Sequence, residues 1–142
     1  MLDLKTADQI LNAALAHGRA AGMKPLCVAV LDAGGALVAL KREDGASFLR
    51  PQVANAKAWG ALGMGTGTRA LAARAQTHPA FINAIGALTE GRIVPVPGGV
   101  LIRAANQSIL GAVGISGDVS ENDEACAVAG IQAAGMSADT GA

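Results

Sequence analysis

In the stretch "QVANAKAWGAL" Lys57 shares a helical face with Val53 and Gly60, so its stem must cross apolar surface before the ammonium meets water or an anion. An ammonium in that position binds a carboxylate or, with a lowered pKa, acts as a base. The structural alternative is an ion pair with Asp44, Glu90 or Glu124. Arg42, Glu43 and Asp44 close a β-rich run, where the planar guanidinium suits the carboxylate of a small acid and where charges also serve simply to meet solvent. Glu90 and Arg92 flank Gly91 on the approach to Pro97-Gly98-Gly99, as an acid beside an anion clamp or as a plain surface pair. Glu121, Asp123 and Glu124 fall in the first turn of a C-terminal helix, where acids favour the helix dipole. Asp123 stands three residues after Ser120 and completes a cap there, or moves a proton. The three acids point in different helical directions, which argues against a metal site. His78 precedes a proline and reads as a helix terminator. His17 lies at the edge of the apolar face of the first helix, seven residues after Ile10. Met64 sits among glycines, where methionine fills gaps more often than it ligates.

The elements that must position these groups follow from pattern. Thr6 and Gln9 have capping-box spacing, and Ile10, Leu11, Ala14 and Leu15 then repeat at helical spacing up to Gly22. "PLCVAVL" is a central strand, joined through Asp32-Ala33-Gly34-Gly35 to "ALVALKR" as a hairpin. Pro51 suits the first turn of a second helix, which the glycines of "GALGMGTGT" end or loosen. Thr68 caps a short helix running to Gln76. Another follows His78-Pro79, with Phe81, Ile82, Ile85 and Leu88 inward. "GRIVPVPGGVLIRAANQSILGAVGISG" divides into strands near 92–96, 100–104 and 108–116. Pro97-Gly98-Gly99 is the joint between the first two. Proline removes an N–H from any ladder and glycine admits close approach, so the joint is predicted to turn sharply and to line a ligand pocket. A last helix runs from Ser120 to about Gly135 and presents Ala125, Ala129, Gly130 and Ala133 as a close-packing face, and residues 136–142 are expected to fray. Hairpins join most of the strands, so the class is α+β with a five-stranded, mainly antiparallel sheet flanked by helices, in one domain over residues 1–142.

Composition narrows the function. The chain of 142 residues has zero formal net charge and 51% hydrophobic residues, with no basic stripe for phosphates. Phe48, Trp59 and Phe81 are its only aromatics, too few for a base-stacking platform, so neither nucleic acid nor an anionic membrane is an expected partner. No run approaches the roughly 20 apolar residues of a membrane span. There is no secretory pattern, and Cys27 and Cys126 read as small buried hydrophobes, so the expected location is cytoplasmic. "GMGTGT" and "GAVGISG" lack the spacing of phosphate and dinucleotide loops.

Taken together, "VAVLDAGGALVALKREDGA", "ANAKAWGAL", "GRIVPVPGGVLI" and "ILGAVGISGDVSENDEACAVAGI" resemble, in order and spacing, the GlcG/HbpS family, also described as haem-degrading or PduO C-terminal-like domains. The resemblance spans roughly residues 4–135. It implies a profilin-like sandwich that assembles into homo-oligomers, and a small ligand, with haem or a corrinoid associated with some members and small organic acids with others. It also implies that His17 matches the histidine that haem-binding members carry on the first helix; neutral imidazole is a good iron ligand. The absence of tyrosine and the scarcity of aromatics make a poor haem cage.

Three readings follow. The first is a small-ligand protein taking haem or a related tetrapyrrole, with His17 as axial ligand beside a wide apolar slot. The second is an isomerase or hydratase/lyase on a small carboxylated metabolite. In that reading Arg42 or Lys57 binds the carboxylate, Glu90 or Asp123 moves a proton, and Arg92 with Pro97, Gly98 and Gly99 borders the pocket. The third is an oligomeric accessory protein without catalysis, using its Ala/Gly helix faces for contacts.

Overall fold

In the computed structural model, which describes residues 1–142, the apolar run beginning at Cys27 lies at the heart of a sheet. Strand β1 (Cys27–Asp32) is buried over nearly its whole length, between β2 (Leu37–Arg42) and β4 (Ile109–Ser116). β3 (Gly99–Arg103) pairs with the other edge of β4, and β5 (Ser137–Asp139) closes the order β2-β1-β4-β3-β5. Every pairing is antiparallel. The β1–β2 turn is tied by Asp32, whose Oδ1 accepts from the N–H groups of Gly34 and Ala36 at 3.0 Å.

The period of two along the strands divides the core in two. Val28, Val30, Val100, Ile102, Val113 and Ile115 face α1 (Leu4–Ala20) and α5 (Ser120–Ala133). Cys27, Ala29, Leu31, Leu101 and Ala112 face α2 (Arg50–Met64). Cys126 belongs to the first core, so the sheet separates the two thiols, and burial pushes each up to about 11. Helices α3 (Thr68–Thr77) and α4 (Pro79–Leu88) lead from α2 back to β3, with α4 packed only against α3. No helix is long and apolar enough to cross a membrane.

The α+β class and the five antiparallel strands are as expected, but one strand is a different one. Residues 92–96 form no strand: Pro95 lacks a ladder donor, and Ile93 packs onto α2 against Gly60. The free edge of β3 is taken instead by the C-terminal tail, Leu101 opposite Asp139 and Arg103 opposite Ser137. The Arg103 guanidinium donates to Asp139 Oδ2 at 2.8 Å. The tail expected to fray is therefore an edge strand, held by a β3 edge that nothing else covers.

Other departures are local. Asp3, not Thr6, caps α1, its Oδ1 accepting from the Thr6 N–H at 2.8 Å. Val119 occupies the N-cap of α5, and Asp118 Oδ1 accepts from its N–H at 2.8 Å, so Ser120 and Asp123 do not form a cap. Helix α2 continues through Gly60 and Gly63 to Met64. On α4 only Ile82 is buried, and Leu88 is 78% exposed rather than inward.

Glycine decides how closely α2 approaches the sheet. At Gly114 a Cβ would collide with the Ala54 carbonyl of α2 and stand 2.8 Å from the Ala58 nitrogen. A Gly114→Ala variant must lift α2 off the sheet and should lose about 3 kcal/mol of stability, the upper part of the range for overpacking. Urea unfolding of variant and parent checks this through a lower midpoint at unchanged slope.

Candidate functional site

Lys57 projects from the sheet-facing side of α2 and is 2% exposed. Its Nζ donates to the Ile115 carbonyl at 2.9 Å and to Asp123 Oδ2 at 3.2 Å. Asp123, 1% exposed, comes from the first turn of α5, and its Oδ1 accepts from the Asp118 N–H at 3.0 Å. The partner is thus none of the three acids considered from sequence. Glu124 pairs with Arg69 at 2.8 Å, and Asp44 and Glu90 pair with no cation. Burial holds the Lys57 ammonium below its usual pKa against the pull of Asp123. Burial likewise raises the Asp123 carboxyl against the pull of Lys57.

Pro97, Gly98 and Gly99 cover this pair. All three are buried, and a methyl on Gly98 would stand 2.8 Å from Lys57 Nζ. The Gly99 N–H donates to Thr68 Oγ1 at 2.8 Å, and the Thr68 hydroxyl donates to the Gly99 carbonyl at 3.3 Å, so Thr68 fastens the joint instead of capping α3. The Gly98 carbonyl accepts from the Ile115 N–H at 3.0 Å. The chain bends at Val96 and Pro97 and enters β3 at Gly99, but with no strand over 92–96 this is not the strand-to-strand turn predicted, and none of five surface cavities includes it. The space its missing side chains leave is filled by Lys57 of α2 and by Thr68.

The other expected groups are dispersed. Arg42 lines an open groove of about 540 Å³ with Leu15, Arg19, Pro25, Lys41, Glu43 and Asp44. All three of its cations are engaged: Arg42 with the Ala46 carbonyl at 2.6 Å, Arg19 with Glu43 at 2.9 Å, and Lys41 with Asn12 at 2.8 Å. Glu90 is exposed in a left-handed turn, φ 56°, and makes no ion pair with Arg92. Arg92 lies over the Trp59 ring, 3.9 Å from its centroid, beside a cleft of about 260 Å³ lined by Gln52, Asn55, Ala56 and Gly91. Gln52 and Asn55 were not anticipated; their i, i+3 spacing places them on one face of α2, the one signal the sequence offered. No three His, Cys, Asp or Glu side chains come together as a metal site.

His17 is exposed in the last turn of α1, and its ring makes no hydrogen bond. At 3.6 residues per turn it stands about 200° around the helix from both Leu15 and Arg19, so it faces away from the large groove. Ala13, Ala20 and Ala21, its i−4, i+3 and i+4 neighbours, leave a low surface about the ring. That surface is an open face, not the wide apolar slot expected beside His17.

An antiparallel five-stranded sheet with two helices on one face and a third embedded on the other defines the class, and similarity to known proteins specifies it. The chain belongs to the family described as haem degrading protein, HbpS-like, whose pattern matches residues 2–132. Among solved structures it is similar to a PduOC:haem complex, with 26% identity, a TM-score of 0.85, and 95% of this chain and 96% of that one covered. Protein ORFY of Klebsiella pneumoniae has 25% identity and a TM-score of 0.85, over 94% of this chain and 90% of that one. A double mutant of HbpS from Streptomyces reticuli has 26% identity and a TM-score of 0.78, over 92% and 85%. No curated protein sequence matches the chain significantly.

The sealed pair yields a direct prediction. Lys57→Met leaves Asp123 buried without its cation and should cost about 3–5 kcal/mol, whereas Lys57→Met combined with Asp123→Leu should recover most of that loss. Thermal and urea unfolding of the single and double variants check it; equal destabilisation by both would show that packing, not charge, decides.

Proposed function

We propose that the protein binds haem or a related tetrapyrrole, with His17 as the axial ligand. The observation that carries this reading is the His17 imidazole, exposed and without a hydrogen-bond partner in the protein, with alanines at 13, 20 and 21 as its neighbours along the helix. A ring nitrogen with no competing partner is ready to ligate, and the short side chains at Ala13, Ala20 and Ala21 let a planar ligand come close to the helix. Membership of a family described as haem-degrading, and similarity to a PduOC:haem complex, point the same way. Helix α5 packs closely alongside α1, with Gly130 against the Ile10 carbonyl and Ala14. Haem would supply an iron centre that takes a nitrogen donor, and His17 would hold it. The chain's own part is to present that nitrogen and to shield one face of the macrocycle. A second copy docked on the same alanine face would shield the other, which gives the homo-oligomer its role in this reading.

Titration with haem, followed at the Soret band, tests the assignment. The parent should show a saturable shift, and His17→Ala should bind at least tenfold more weakly with an altered band position. Unchanged affinity and band in His17→Ala would remove His17 as the ligand. Absence of a saturable shift in the parent would remove tetrapyrrole binding altogether.

A further inference from the structure

Arg92 is held differently from most other arginines of the chain. Arg19, Arg42, Arg50, Arg69 and Arg103 each donate to oxygen atoms of the protein. Arg92 donates to none, and its guanidinium carbon stands over Trp59, 3.9 Å from the ring centroid. A cation–π contact holds the guanidinium by its face and leaves its N–H groups to other partners. The backbone that carries it is anchored on both sides. The Arg92 N–H donates to the Thr89 carbonyl at 3.2 Å, and Ile93 packs against Gly60 of α2. The cleft that Arg92 lines also contains Gln52 and Asn55, whose carboxamides make no hydrogen bond within the protein. One oriented cation and two carboxamides thus border about 260 Å³ with their hydrogen-bonding capacity free.

We infer that this cleft binds a small monocarboxylate bearing a hydroxyl or carbonyl oxygen beside the carboxylate. The Arg92 fork matches a carboxylate through two parallel hydrogen bonds. Carboxamides both donate and accept, which suits a neighbouring hydroxyl or carbonyl. The single cation sets the charge: no second Lys or Arg lines the cleft, and Glu90 stands two residues away, so a doubly charged phosphate is poorly matched. The volume sets the size, since it equals roughly nine waters at about 30 Å³ each, far less than a macrocycle needs. The cleft lies on the α2 side of the sheet and His17 on the α1 side, so this site stands or falls independently of haem binding.

Trp59 is the only tryptophan, and the chain has no tyrosine, so intrinsic fluorescence reports on the residue beneath Arg92. Lactate, as a 2-hydroxy monocarboxylate, should change that fluorescence saturably, beyond any change from sodium chloride at equal ionic strength. Because altering Arg92 also alters the reporter, the variants are compared by calorimetric titration. Arg92→Gln should weaken lactate binding at least tenfold and Asn55→Ala severalfold, while His17→Ala leaves it unchanged. The proposal is overturned by a response that merely follows ionic strength, by parent-like affinity in Arg92→Gln, or by tighter binding of inorganic phosphate than of lactate.

Discussion

Helix α2 lies so close to the sheet that backbone meets backbone, and most of the molecule's particular features depend on that contact. Gly114 gives way to the Ala54 carbonyl, and Gly99 gives way to the Lys57 carbonyl and the Thr68 methyl. Such an approach leaves the helix with small residues on its inner face, Ala54, Ala58 and Ala61, all fully buried. It also carries Lys57 to a depth where water cannot reach it. The helix then needs an anion from elsewhere in the fold, because a buried ammonium without a partner costs several kcal/mol.

Asp123 supplies that anion from across the end of β4. The pair joins α2 to α5 at the point where β4 ends, and the Ile115 carbonyl joins both to the sheet. Asp118 extends the link, its backbone donating to Asp123 and its Oδ2 accepting from the Lys24 N–H at 2.9 Å. A contact of this kind adds little net stability, since desolvation offsets most of the Coulomb attraction, but it is specific: any other placement of α5 leaves two buried charges apart. The Pro97-Gly98-Gly99 joint seals it. Two residues with the chemistry of a proton-transfer site are thus buried against each other and tie α2, α5 and the sheet together.

The sheet consequently presents two unlike exteriors. On the α1–α5 side the helices offer a low surface around His17, open to a flat ligand or another copy. On the α2 side the turn after α4 carries Arg92 onto Trp59 and leaves a small polar cleft. The two proposed ligands, one large and planar and one small and charged, are assigned to these two faces. Nothing in the fold requires one to fill before the other, because the hydrophobic core and a layer of strands lie between them.

The sequence by itself determined what depends on local pattern: the helices, the β1–β2 hairpin, β3 and β4, the α+β class and the burial of both cysteines. Periodicity reports these because each element's apolar face repeats within a few residues. It also marked Lys57, Asp123, Arg92 and the glycine joint as unusual. Only the tertiary structure decided their partners. Lys57 and Asp123 stand 66 residues apart, and nothing in either neighbourhood encodes the other. Residues 92–96 have strand-like composition, but Ile93 is drawn onto Gly60, so the vacant edge of β3 goes to a tail whose own sequence is too short and polar to announce a strand. Gln52 and Asn55 acquired meaning only when Arg92 was brought beside them. Short-range pattern fixes secondary structure, whereas pairing between distant segments depends on which surfaces remain unfilled after the rest of the chain has packed.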